Sequence, residues 1–352
     1  MRYAILDLGT NTFNLLIIET GTGDNKKILL SRKEPVKLGE GGITRGKISE
    51  KAFDRGITAI ANHMKYIKDH RVHQIHAFAT SAIRSAGNGL EFVRTVYQKF
   101  NIGIQVISGD KEAELIYLGV KQVVDMGDRK HLILDIGGGS NELIIADSRT
   151  IFWKKSFPLG MARMLEQFRP SDPIREDEIL ALENHFSKSM QSFLEAALEH
   201  KPDILIGSSG SFDTFRALLT AINYEPADTT SNDSPGSDTP SSNPSDHEKP
   251  GADLSGADLS AIDPPGHEPH RPFYRIDPGE FLRLGRKLVE SDARQRLSME
   301  GMDPMRVEMI VIAAIFVNFI VRELNIRQMI QSDYSLKEGA VTEILNRHIL
   351  SA

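Results

Sequence analysis

The sequence predicts an α/β protein made of two copies of one strand–helix pattern that face each other across a cleft. Three observations carry this reading. Three strand-like segments parted by tight turns open the chain, and the same arrangement restarts at His131. Each triplet is followed by alternating helical and extended patterns, the order that builds a layered α/β fold. Each copy also carries a hexad of one kind after its first strand, Asp7-Leu8-Gly9-Thr10-Asn11-Thr12 and Asp135-Ile136-Gly137-Gly138-Gly139-Ser140. A motif repeated in register is the mark of duplication.

In the first copy, Tyr3–Leu8, Thr12–Glu19 and Ile28–Arg32 are β-branched or apolar runs separated by Asp-Leu-Gly and by Gly21-Thr-Gly-Asp-Asn, so they read as an antiparallel meander. Ser49 offers an N-cap for a helix reaching to about Asp69. Strand Gln74–Ala79, helix Leu90–Phe100, strand Gly103–Ile107 and helix Lys111–Met126 complete the unit. In the second copy the meander is His131–Ile136, Asn141–Ala146 and Ile151–Phe157. Helices Met161–Phe168 and Arg175–His200, strand Asp203–Gly207 and helix Phe212–Ile222 follow. Helices Pro278–Val289 and Pro304–Leu324, strand Arg327–Ser332 and helix Leu336–His348 close it. The expected domains are therefore 1–126 and 127–352, the second interrupted at 225–272.

Composition marks that interruption. Residues 225–272 hold nine of the sixteen prolines, ten acids against Lys249 and Arg271, and no aromatic residue, which predicts a disordered acidic insertion. Its tandem pentapeptides at Gly251 and Gly256 are too few to bury a solenoid core, and its His267 and His270 lack preorganised metal partners. The segment carries a charge of −8, so the remainder is near +2 and sets no net barrier to an anionic substrate. At 352 residues, 40% hydrophobic and 26% charged, the chain suits two globular domains rather than a fibre. The absence of cysteine excludes disulfides, thiolate metal sites and thiol nucleophiles, and fits a reducing compartment. No charged-then-apolar leader opens the sequence, and the most apolar run, Met309–Val321, is far shorter than the roughly 20 residues of a membrane span. A cytoplasmic protein with neither membrane nor nucleic acid as partner is expected.

An aspartate at a strand end, followed by glycine and hydroxyl residues, suits phosphate chemistry. Glycines let backbone N–H groups converge on an anion, Ser or Thr adds a donor, and the carboxylate holds a divalent ion. Magnesium takes one or two carboxylates with water and substrate phosphate, so an acid on each side of a cleft fits it. Either hexad alone is equally an ordinary hairpin, and repetition in register is what favours phosphate. Gly207-Ser208-Ser209-Gly210 ends a later strand and opens a helix, which makes it either an anion-binding N-terminus or a tight turn. Glu112 and Glu114 lie in the first turns of a helix, where an acid is equally a dipole partner, and the residues alone do not choose between them. His70, His73 and His76 span a helix end and a strand, so shared ligation is not expected. Met302, Met305, Met309 and Trp153 read as core.

The hexads, together with Thr80-Ser81-Ala82-Ile83-Arg84-Ser85-Ala86-Gly87, Ile107-Ser108-Gly109-Asp110-Lys111-Glu112-Ala113-Glu114 and the Glu142 that follows the second hexad, resemble the exopolyphosphatase/guanosine pentaphosphate phosphatase (Ppx/GppA) family. The likeness runs in order over nearly the whole chain outside the insertion. It implies two duplicated RNase H-like domains of the actin-like ATPase superfamily. It also implies magnesium-dependent hydrolysis of a terminal phosphoanhydride in inorganic polyphosphate or guanosine pentaphosphate. By the same resemblance Glu112 activates the water and Arg84 clamps phosphate. Asp135 binds magnesium, Glu142 is a second acid acting directly or through water, and Asp7 is a ligand or a holder of metal waters. Asn11, Thr12, Gly137, Gly138, Gly139 and Ser140, with Gly207, Ser208, Ser209 and Gly210, would cradle the terminal phosphates. Related folds associate through their second domains, so a homodimer is expected. Phosphoryl transfer needs an in-line water and neutralised charge more than covalent help, and one base, one metal and many donors suffice.

The sequence departs from the family pattern in places. Asn141 stands where Thr is common, Arg306-Val307-Glu308 where Arg-Ala-Asp is usual, and the acidic insertion is foreign to it. Larger members add a helical C-terminal domain that extends the polyphosphate channel. This chain reads as the short form, which keeps short polyphosphate and guanosine pentaphosphate in play. Two other classes stay open at this stage: a non-catalytic polyphosphate- or alarmone-binding protein, and an ATP-dependent kinase or chaperone-type ATPase of the same superfamily. Retention of Glu112, Asp135 and Glu142 argues against the first.

Overall fold

A computed structural model describes residues 1–21, 26–224 and 272–350. Apart from Pro272, the expected insertion, with its pentapeptides and its two histidines, lies outside the described residues. In chain order the elements are β1 (Arg2–Leu8), β2 (Thr12–Thr20), β3 (Lys26–Pro35), a 3-10 turn (Ile43–Arg45), α1 (Glu50–Asp69), β4 (Gln74–Ala79), α2 (Ser81–Ser85), α3 (Gly89–Phe100), β5 (Ile104–Val106) and α4 (Gly109–Val120). There follow β6 (His131–Ile136), β7 (Asn141–Ala146), β8 (Ile151–Phe157), α5 (Met161–Phe168), α6 (Glu176–Ser189), α7 (Gln191–His200), β9 (Ile204–Ser208) and α8 (Ser209–Tyr224). The last are β10 (Phe273–Ile276), α9 (Pro278–Glu290), α10 (Ala293–Leu297), α11 (Met309–Glu323), β11 (Gln328–Ser332) and α12 (Leu336–Leu350).

Two mixed sheets result, ordered β3-β2-β1-β4-β5 and β10-β11-β9-β6-β7-β8. In each, an antiparallel meander is extended from its first strand by two parallel strands, β4 and β5 in one and β9 and β11 in the other. This is the duplicated RNase H-like architecture, with β10 added antiparallel on one edge. Several boundaries differ from expectation for local reasons. The helix expected over 175–200 breaks at Met190, which leaves helical geometry at φ −108° and buries its side chain completely. The helix expected from Pro304 begins only at Met309, because Asp303 accepts from the N–H groups of Met305 and Arg306 and holds a turn there. The helix expected to reach Met126 stops at Val120. The elements β10, α2 and α10 are too short to show a period.

β6 and β7 are buried along their whole length, as strands covered on both faces must be. One face of the second sheet packs on a helical layer that includes α11, whose apolar run is buried as its sequence predicts. The other face meets α4 and α12, which also pack on Tyr3, Ile5, Leu16 and Ile18 of the first sheet, so one core serves both. Residues of α1 and α3 cover the first sheet's far face. The helices α4 and α12 cross closely because Gly119 and Gly339 lack a Cβ. One placed on Gly339 would stand 1.7 Å from the carbonyl oxygen of Leu115, and one on Gly119 2.0 Å from that of Ser335. The two helices pack antiparallel, and each starts where a parallel strand ends, α4 after β5 and α12 after β11, at the carboxyl ends where α/β sheets bind ligands. Among the described residues no helix is long and apolar enough to cross a membrane.

Candidate active site

The two hexads fold into the same turn. Gly9 N–H donates to the carbonyl of Thr12 and Gly137 N–H to that of Ser140, both at 3.1 Å. Asp7 pairs across its meander with Asn14, and Asp135 pairs with Glu142, so the duplication extends to cross-strand partners. The turns meet face to face. Asn11 Nδ2 lies 2.6 Å from where a Cβ on Gly138 would stand, and Thr10 Oγ1 and Ser81 Oγ lie 2.6 and 2.7 Å from that of Gly139. Only glycine allows this approach. Asp7, Glu112, Asp135 and Glu142 all line the resulting cavity of about 130 Å³.

The N-terminus of α5 fixes the second turn from behind. Met161 N–H donates to the carbonyl of Gly137, and the N–H groups of Ala162 and Arg163 donate to that of Gly138. Because the C=O and N–H of a trans peptide point opposite ways, the amides of Gly138 and Gly139 are left facing away from α5. Such converging amides form an anion-binding concavity.

Each carboxylate has its own environment. Asp135 accepts from the hydroxyls of Ser208 at 2.8 Å, Ser209 at 2.7 Å and Ser335 at 2.5 Å. Ser209 adopts φ 69°, a left-handed conformation uncommon outside glycine. Glu142 accepts from Ser140 and Ser156, both at 2.7 Å, yet burial and then Asp135 push its carboxyl up to about 7. Burial likewise pushes Asp7 up to about 6, against the pull of its 2.9 Å bond from Asn14 and of Lys337. Glu112 follows the N-cap Ser108, whose hydroxyl accepts from Lys111 N–H at 3.1 Å, and is 7% exposed. Burial and the nearby Glu142 push it well above the ordinary carboxylate range, opposed by Arg84.

Not every expected residue reaches the lining. Arg84 stands behind it: its Nη1 donates to Glu112 Oε2 at 2.7 Å and to the carbonyl of Ile107 at 3.0 Å, so that nitrogen grips the acid. Gly207 leaves space for the ring of Phe212, and Ser208 is fully buried on Asp135, so neither forms part of the cradle. Asn11, Thr12, Gly137, Gly138, Gly139 and Ser140 line the cavity, as do Ser209 and Gly210. Glu114 turns to Lys154 and Lys111. Met309 is buried, and its sulfur also accepts from Asn11 Nδ2 at 3.2 Å.

The lining further includes Lys33, Asp213, Arg306, Ser335 and Lys337, which the hexads do not announce. Ser335-Leu-Lys-Glu338 has capping-box spacing before an apolar helix, and Glu338 accepts from Ser335 N–H at 2.9 Å, so a signal for that corner exists. Burial works against the charge on Lys337, but Glu338, paired at 2.9 Å, and Asp7 outweigh it and raise its pKa. The facing turns thus supply N–H and hydroxyl donors for an anion, and the lining adds six acids, oxygen ligands of the kind a hard cation takes, and three cations.

Comparison with known proteins agrees with this geometry. The sequence matches the Ppx/GppA phosphatase family over residues 16–234 and 258–348. It is 29% identical over 222 residues to exopolyphosphatase 1 of Mycobacterium leprae and 28% identical to that of Mycobacterium tuberculosis. These matches cover 63% of this chain and 66% and 64% of the relatives, just under two thirds of their length. A solved exopolyphosphatase from Cytophaga hutchinsonii is similar at a TM-score of 0.83 and 32% identity over 98% of both chains. The Aquifex aeolicus member of the Ppx/GppA family shares the fold at a TM-score of 0.71 and 21% identity, over 99% of this chain and 98% of that one. Matched over most of its residues and similar in sequence and structure to a solved exopolyphosphatase, this chain belongs to the Ppx/GppA phosphatase family.

Proposed function

We propose that this protein removes the terminal phosphate of inorganic polyphosphate, and of guanosine pentaphosphate through its triphosphate end, by in-line attack of a water activated by Glu112. The observation that carries the reading is Glu112 itself: a buried acid with a raised pKa on the wall of a cavity bounded by two facing glycine turns. The names of the Mycobacterium and Cytophaga relatives point to the same chemistry.

The division of labour follows from the lining. The amides of Gly138 and Gly139, with the side chains of Asn11 and Thr12, hold the oxygens of the terminal phosphate, and Arg306 and Lys337 offset its charge. Glu112 takes a proton from the attacking water. A carboxylate whose pKa is raised is a better base near neutral pH, and Arg84 fixes its direction.

The residues fit magnesium. Their donors are all oxygen, and the pKa values of the buried acids Asp7 and Glu142 are pushed up to about 6 and about 7 by burial and by the charge of Asp135, a cost of ionisation that a divalent cation would relieve. Among the described residues no three acids or histidines converge as a closed cage, and magnesium asks for only one or two carboxylates with water. Asp135 would hold it, Glu142 would bind directly or through water, and Asp7 would hold its waters. Magnesium bound there neutralises and orients the phosphate oxygens.

Phosphate release from long polyphosphate, short polyphosphate, guanosine pentaphosphate and ATP, with magnesium or with chelator, tests the reading on wild type and Glu112→Gln. The expected results are release from polyphosphate only with magnesium, and a loss of roughly 10²–10⁴-fold in the variant with substrate affinity retained. Full activity in Glu112→Gln, or no release from any substrate by wild type, overturns it.

A further inference from the structure

Lys33 and Asp213 join the two halves at the rim of the cavity, and neither belongs to a hexad. Lys33 Nζ, on β3, meets Asp213 Oδ2, on α8, at 2.7 Å, with the side chains 55% and 37% exposed. Both line the cavity. Asp7, Asn14 and Lys33 form one row across β1, β2 and β3. Lys33 therefore stands two strand spacings, about 10 Å, out from Asp7. A phosphate chain with its end among the hexads would meet Lys33 through one of its outer phosphates.

Asp213 is fixed on its other side by Gln331 Nε2 at 3.2 Å. Its negative charge also favours the charged forms of Arg306 and Lys337. Asp213 thus pairs with Lys33 and adds a lesser pull on Arg306 and Lys337, whose nearer partners are Asp303 and Glu338. A charged-oxygen group at that place does for Lys33 what an outer phosphate of a bound chain would do.

Resting on the phosphohydrolase reading above, we propose that Asp213 stands in for the outer phosphates of a polyphosphate substrate. It occupies Lys33 until a chain long enough to reach that lysine displaces it, and the pair thereby sets a preference for chain length. An exposed ion pair is weak, and a polyphosphate chain brings several anionic oxygens to Lys33 where Asp213 brings one carboxylate, so exchange favours the substrate. An anion too short to reach Lys33 leaves the pair closed and gains nothing from it.

The test is a double-mutant cycle on long-chain polyphosphate and on tripolyphosphate, using wild type, Asp213→Asn, Lys33→Gln and the double variant, with KM and kcat measured separately. Asp213→Asn keeps an acceptor for Gln331 and removes the competing charge. It should lower KM for the long chain by roughly two- to fivefold, the span of a weak exposed pair, with kcat moving less and KM for tripolyphosphate shifting by a smaller factor, the part that passes through Arg306 and Lys337. Lys33→Gln should raise KM for the long chain alone, and in its background Asp213→Asn should lose its effect. A higher KM in Asp213→Asn, equal shifts for both substrates, or an undiminished effect in the double variant overturns the proposal. If wild type releases no phosphate, the phosphohydrolase reading fails separately. The same cycle is then read from calorimetric binding of the two polyphosphates, with the same ratios expected.

Discussion

Arg84 holds Glu112 from behind, donating through Nη1 to Oε2 at 2.7 Å and to the carbonyl of Ile107 at 3.0 Å. Ile107 directly precedes Ser108, the N-cap of α4, so one guanidinium fixes both the entry to the helix and the acid it carries. Arg84 itself belongs to α2, after β4, and the pair therefore locks together the segments that follow β4 and β5. Both bonds come from Nη1, and the rigid guanidinium plane holds that nitrogen in one direction as a flexible lysine chain does not. Electrostatically, Arg84 opposes the burial and the Glu142 charge that raise the Glu112 pKa.

Removing Arg84 thus has a definite sign. In Arg84→Met, Glu112 stays buried near Glu142 without its cation and its pKa rises further. Because the ionised form is the base, the acid limb of kcat/KM against pH moves upward by about one unit or more, the usual effect of an adjacent opposite charge. Raising the pH recovers part of the loss, and Arg84→Lys shows a smaller displacement. A pH–rate profile in which the limb stays put while activity drops equally at every pH would show a direct phosphate contact instead.

The other buried acids make stability depend on pH. Asp7 and Glu142, pushed up to about 6 and about 7, bind protons more tightly folded than unfolded. Their contribution is complete below the unfolded carboxylate range and is lost as pH rises through about 6 and about 7. Metal-free protein in chelator is expected to melt several degrees lower at pH 8 than at pH 5, and Glu142→Gln to flatten that slope. Magnesium favours the ionised acids, so it should raise the melting temperature at pH 8 and leave it unchanged at pH 5. Thermal melts across this range decide the point, and a slope unaltered by Glu142→Gln would contradict it.

How much of this was legible in the sequence depends on distance along the chain. β6, β7 and β8 take their expected bounds because short apolar and aromatic runs are set apart by Gly137-Gly138-Gly139-Ser140 and by Asp147-Ser148-Arg149-Thr150, both turn-forming segments. The hexads stand out because duplication prints them twice. Partnerships across the fold leave no local trace: Ser335 reaches Asp135 from 200 residues away and Lys33 reaches Asp213 from 180. Arg84 is recognisable by its motif, yet a sequence separation of 28 says nothing about whether its guanidinium faces phosphate or Glu112. Gly207 shows the converse, a glycine in an anion-friendly pattern whose empty side is used by Phe212.

Arg163 carries a prediction about cooperation between the halves. Its Nε donates to the carbonyl of Gly139 and its Nη1 to that of Ile43, both at 3.0 Å. Glu166, one turn on, accepts from the N–H groups of Gly41 and Thr44 at 3.1 and 3.3 Å. The helix that fixes the second glycine turn therefore also grips the first half. Arg163→Met should lower kcat/KM for polyphosphate by roughly 10-fold or more, the scale of a charged hydrogen bond. Arg163→Lys should recover little of it, since one ammonium does not span both carbonyls. Steady-state kinetics with the three proteins checks this, and wild-type kcat/KM in Arg163→Met would show that the bridge does not position the turn.

Two glycine substitutions separate activity from stability. An added methyl at Gly139 meets Thr10 Oγ1 at 2.6 Å and Ser81 Oγ at 2.7 Å, the ends of side chains that can shift. Gly139→Ala should therefore fold with a melting temperature near wild type while the facing turns move apart, and misplacement on that scale costs about 10²-fold in rate. At Gly339 the methyl meets the carbonyl oxygen of Leu115 at 1.7 Å, which is main chain inside α4 and yields only if the helix carrying Glu112 moves. Overpacking of this kind costs roughly 1–3 kcal/mol or more, so Gly339→Ala should melt several degrees lower, and the displaced helix should lower kcat as well. Melts and kinetics on both variants are enough. A Gly339→Ala protein with wild-type melting and rate would mean that α4 and α12 do not touch at this crossing, and the placement of Glu112 would need another cause.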